Sequence, residues 1–82
     1  MPHHEFFWLD DTIRKLADND LTIADVEFAV RNAFDARISA TSGRPAYVGP
    51  TGDARTIFVV YEPLDATQIL VITAFEIGRV DS

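Results

Sequence analysis

Glu5 to Trp8 reads EFFW, a short aromatic run that predicts a first strand. The period then changes. Leu9, Ile13, Leu16 and Ala17 recur at helical spacing, and Asp10 or Asp11 is placed to cap or favour the positive N-terminal end of that helix. Asp18-Asn19-Asp20 ends it, because short polar side chains compete for backbone hydrogen bonds. Thr22 restarts the helical pattern, with Asp25 three residues on in a short-armed version of a capping box. Ile23, Val26, Val30 and Ala33 make one apolar stripe, flanked by Ala29 and Phe34, so a second helix is predicted from about Ile23 to Phe34.

Beyond it the chain changes to loops and strands. Ser39 to Pro45 reads as a loop, and Pro45 biases Arg44 toward extended backbone. Ala46 to Val48 predicts a strand, Gly49 to Ala54 a turn, and Thr56 to Glu62 a β-branched and aromatic strand. Pro63 to Thr67 turns the chain into a last strand, Gln68 to Glu76. Short connections make the last three strands an antiparallel meander. The predicted architecture is α+β, in the order β-α-α-β-β-β, an antiparallel sheet with both helices packed on one face.

Strand alternation leaves a surplus of apolar surface. Ile57, Val59 and Tyr61 share one face, and Phe58 and Val60 the other. On the last strand Leu70, Ile72 and Ala74 alternate with Ile69, Val71 and Phe75. Two short helices cover one face only. The other is expected to meet a partner or a second copy, unless the first strand, the loop and the C-terminal tail wrap it.

Composition narrows the picture. The 82 residues, 1–82, are expected to form a single domain. There is no cysteine, which removes disulfides and thiolate metal sites. The apolar run Ile69 to Ala74 is too short to cross a bilayer, and the first residues lack the basic start and apolar stretch of a signal peptide. A cytoplasmic protein with no membrane association is therefore expected. The net charge is −6, which argues against indiscriminate nucleic-acid binding. Seven acids stand against three bases from Asp10 to Asp35, whereas Arg37, Arg44 and Arg55 gather in the central third. An acidic helical surface could meet a basic partner, and the arginines could form a local positive patch.

No nucleotide-binding or zinc-protease motif is present. The adjacent His3 and His4 make a poor chelate on extended backbone, so no metal and no cofactor are expected. The candidate chemistry lies between Thr41 and Glu62. Arg44 follows Ser42 and Gly43, a setting for a small anion-binding nest, or else it pairs with Asp53 or Glu62. Arg55 stands at the mouth of a strand, as a phosphate contact or as an edge charge. Tyr61 and Glu62 end that strand and offer a hydroxyl and a proton acceptor, with Glu76 as a second carboxylate.

The Phe6-Phe7-Trp8 start, Lys15 on the first helix, and Gly49, Thr51 and Arg55 ahead of IFVVYE together resemble BrnT-type toxins. These belong to the RelE-like group of type II toxin–antitoxin systems, and VITAFE, Val71 to Glu76, resembles the family's last strand. The resemblance implies a metal-independent endoribonuclease that slows translation until a cognate antitoxin binds it. It implies RNA-phosphate contacts from Arg44 and Arg55, with Glu62 or Tyr61 helping proton transfer. The family's Lys-His-Gly after the first helix is here Asp18-Asn19-Asp20, and its late arginine is replaced by Phe75. The alternative is a non-enzymatic interaction module, or a homodimer, that uses the apolar sheet face.

Overall fold

The computed structural model describes residues 5–79, Arg79 by its backbone alone, so His3 and His4 lie outside the described residues. The chain runs β1 (Glu5–Phe7), α1 (Asp10–Asp18), α2 (Ile23–Arg31), β2 (Asp35–Ile38), β3 (Pro45–Pro50), β4 (Arg55–Pro63) and β5 (Gln68–Arg79). This is an α+β fold. The strands form one sheet in the order β1-β5-β4-β3-β2. Helix α1 packs on β5, and α2 on β3 and β4. The core lies between these layers: Leu16, Leu21, Val26, Ala29 and Val30 meet Ile57, Val59, Ile69, Val71 and Ala74.

Two features differ from the predicted order. The sheet is mixed rather than antiparallel, because β1 lies parallel to β5, with Phe6 beside Ile69. Hairpin lengths define the meander but say nothing about where the first strand docks. The second difference is β2 itself, an additional edge strand pairing Asp35 with Val48 and Ile38 with Pro45. All four of its residues are exposed, so no buried face imprints an alternating pattern on them.

The helices follow local rules with one reversal. Thr22 caps α2 as expected: its hydroxyl accepts from the Asp25 N–H (3.1 Å), and the Asp25 carboxylate accepts from the Thr22 N–H (3.0 Å). The Phe34 N–H already donates to the Val48 carbonyl at 3.0 Å, so the chain has left the helix and Phe34 is exposed. In α1, Asp10 and Asp11 sit in the first turn, but the cap position is Leu9 and carries no side-chain cap. The helix buries Thr12 and Leu16 and leaves Leu9 and Ile13 exposed. Thr12 goes inward because its hydroxyl donates to the carbonyls of Val71 (3.1 Å) and Ile72 (3.3 Å). Asn19 does the same for Ala74 at 2.9 Å. Strand β1 covers β5 only from Gln68 to Leu70, so α1 supplies partners for the carbonyls beyond it.

Register shifts in the β4–β5 ladder, at Thr56/Ile57 and Val60/Tyr61, correct the predicted faces. Ile69 and Val71 face the helices, and after the irregularity so does Ala74, whereas Leu70 and Phe75 face the other way.

Gly49 fixes how closely α2 approaches. A Cβ there would lie 2.1 Å from the Ala29 carbonyl oxygen, so only glycine admits the helix at this point.

Candidate functional site

Arg55 is built into the scaffold. Only 8% of its surface is exposed. Its Nε donates to both Asp53 carboxylate oxygens at 3.0 Å, one terminal nitrogen donates to the Asp20 carbonyl at 2.8 Å, and the other lies 3.6 Å from Asp25. Thr51 completes the arrangement. Its N–H donates to the Arg55 carbonyl at 2.8 Å, its hydroxyl accepts from the Arg55 N–H at 3.1 Å, and the same hydroxyl donates to Asp53. Thr51, Asp53 and Arg55 thus form a latch between the β3–β4 hairpin and the α1–α2 connection. The Thr51 hydroxyl and, after it, the Arg55 guanidinium hold the Asp53 carboxyl below its ordinary range.

Arg44 has the opposite surroundings. Among the described residues its guanidinium has no ion-pair partner: Asp53 is taken by Arg55, and Glu62 is not within reach. Gly43 before it has a φ of +70°, the left-handed turn a nest requires, and the Arg44 N–H donates to the Ser42 hydroxyl at 3.4 Å. Arg44 lines a cavity of about 350 Å³ with Ser39, Thr41, Ser42 and Thr73, floored by Val60, Ile72 and Phe75. Here the loop between β2 and β3 folds over the sheet face opposite the helices. It covers that face in part: Val60 is buried, while Phe75 and Ile77 remain 40% and 49% exposed. Phe75 stacks on Phe58 with ring centroids 5.3 Å apart.

No family model matches this chain, and neither a curated protein nor a solved structure matches it.

The four site residues read from the sequence do not converge. The β3–β4 register ends where Ala46 pairs with Val60; Arg44 lies just before β3, and Glu62, two residues past Val60, does not line the cavity around it. Arg55 stands at the other end of β4, roughly 23 Å away at 3.3 Å per residue. Tyr61 points to the helix side, where it packs against the core and stacks on Tyr47 at 4.7 Å. Burial and a hydrogen bond with Tyr47 raise its pKa well above 10, so it keeps its proton at neutral pH. Glu76 pairs with Ile57 and also faces the helices. Around Arg44 the structure places Ser39, Thr41 and Phe75 instead, which strand and loop reading passed over. The signal for the hydroxyls was present in SATSGR, Ser39 to Arg44, whose three hydroxyl residues precede the arginine. Among the described residues no cluster of His, Asp and Glu is arranged to hold a metal ion.

Proposed function

We propose that this chain is a BrnT- or RelE-like toxin, a metal-independent endoribonuclease that acts on single-stranded RNA and is neutralised by a cognate antitoxin. The observation that carries this reading is the Arg44 cavity. An arginine without an ion-pair partner among the described residues shares it with four hydroxyls and an aromatic ring, a suitable lining for one phosphodiester and its base. In this scheme Arg44 balances charge on the phosphorane, and Glu62 takes the proton from the attacking 2′-hydroxyl. The 2′-oxygen bonds to phosphorus, the bond to the 5′-oxygen breaks, and that oxygen leaves with a proton from solvent. The products are a 2′,3′-cyclic phosphate and a 5′-hydroxyl. Phe75, backed by Phe58, gives a base a surface to stack on. Arg55 and Tyr61 take no part in this scheme; they hold the scaffold.

The test is binding of a labelled single-stranded RNA across a salt series, with growth of a bacterial host on induction. Wild type is expected to bind with a salt-dependent affinity and to arrest growth. Arg44→Ala is expected to weaken binding, reduce the salt slope by about 0.7, and relieve arrest. Glu62→Gln is expected to keep binding and lose cleavage. Absence of both binding and arrest from folded wild type would refute the reading. It would favour a non-enzymatic interaction module, which the exposed Phe75 and Ile77 on the same face support.

A further inference from the structure

We infer that the chain pairs with a second copy of itself along β2, joining two five-stranded sheets into one of ten strands. The inference rests on the sheet edge and is independent of RNA binding. Strand β2 is the outermost strand on its side, and every residue in it is exposed. The other side is closed differently, by the three-residue β1 and by Thr12 of α1 and Asn19 just after it, which bond carbonyls of β5.

The backbone of β2 is in phase for such pairing. Ser39 donates to the Arg44 carbonyl at 2.8 Å, in the register that pairs Arg37 with Ala46 and Asp35 with Val48. Alternation then turns the N–H and carbonyl of Ala36 outward. Among the described residues the Ala36 N–H meets no backbone acceptor there, and it donates to the Asp35 side chain at 2.9 Å. An antiparallel pair centred on Ala36 exchanges two backbone hydrogen bonds between the two copies of that residue.

The side chains around this centre are self-complementary. The segment Phe34 to Ile38 reads apolar, acidic, alanine, basic, apolar. Two-fold pairing about Ala36 sets Asp35 against the second copy's Arg37, and Phe34 against its Ile38. Asp35 and Arg37 already pair within one chain at 2.9 Å on the exposed strand. A second copy doubles this into a network of four charges. Phe34 and Ile38, 65% and 67% exposed, find cover at the same time. Edge charges of one sign repel another copy, and that is how many sheet edges avoid association. Here the charges are opposite and symmetric about the centre, so they attract.

The net charge of −6 opposes association at low salt. The experiment is therefore light scattering after size exclusion near 0.15 M salt, where the screening length is about 8 Å, at concentrations up to about 1 mM. Wild type is expected to reach the dimer mass. Ala36→Pro removes the outward N–H while leaving the bonds of Asp35 and Arg37 to β3, and is expected to remain monomeric with an unchanged circular dichroism spectrum. Asp35→Arg and Arg37→Asp are each expected to be monomeric alone, and an equimolar mixture of the two to recover the dimer. A monomeric wild type overturns the inference. So does a folded Ala36→Pro variant that still dimerises, and so does a mixture that fails to recover.

Discussion

Replacing Arg55 with alanine removes the Nε bond to Asp53, the bond to the Asp20 carbonyl and the contact with Asp25 in one step. The expected loss of stability is about 1–3 kcal/mol, the range for charged hydrogen bonds that leave a partner behind. Thermal melting checks it, with Arg44→Ala expected to melt within a degree or two of wild type. A similar melting point for both variants would contradict the division into a structural and a free arginine. Gly49→Ala belongs to the same scale. Its Cβ would collide with the Ala29 carbonyl, so α2 must shift, and a loss of about 1–3 kcal/mol is expected in urea titration.

At the scale of elements, what decides the fold is how each strand edge is satisfied. The carbonyls of Val71 and Ile72 on β5 depend on the Thr12 hydroxyl. Thr12→Val keeps the shape and removes the donor, with an expected loss of about 1–3 kcal/mol by chemical denaturation. The same logic explains what sequence reading could and could not see. The capping box of α2 is local, and Thr22 with Asp25 announced it. The inward turn of Thr12 is not local, because its reason lies 59 residues away on β5. Strand β2 was invisible because nothing buries it. The register shift near Tyr61 reversed the faces of Ala74 and Phe75, since an irregularity leaves no mark in a period-two pattern. Arg44 and Glu62 were legible as candidates; the distance of Arg55 along β4 and the helix-side position of Tyr61 followed only from the structure.

For the molecule as a whole, the acidic surface has a defined pH response. The Asp53 carboxyl is held below its ordinary value of 3.8 by Thr51 and then Arg55, and the Asp35 carboxyl is lowered by Arg37 and the Ala36 N–H. A depressed carboxylate contributes stability in full above its unfolded value, and loses it as pH falls through its folded value. Melting temperature is therefore expected to be flat from neutrality to about pH 5 in these two groups, and to drop as the pH passes below about 4. Asp53→Asn is expected to start lower at neutral pH and to show a shallower drop. An equal slope in the two proteins would remove Asp53 from the acid response.

The parallel pairing of β1 with β5 has a consequence for synthesis. The first strand made waits for the last, since Glu5 to Phe7 meet Gln68 to Leu70. During translation the helices and the β2–β3–β4 meander can form while β1 has no neighbour in the sheet. The cavity around Arg44 also takes Ile72, Thr73 and Phe75 from the last strand. A nascent chain that stalls in the turn before β5 therefore carries Arg44 but lacks the wall that faces it, and any activity housed there begins only once that strand has left the ribosome.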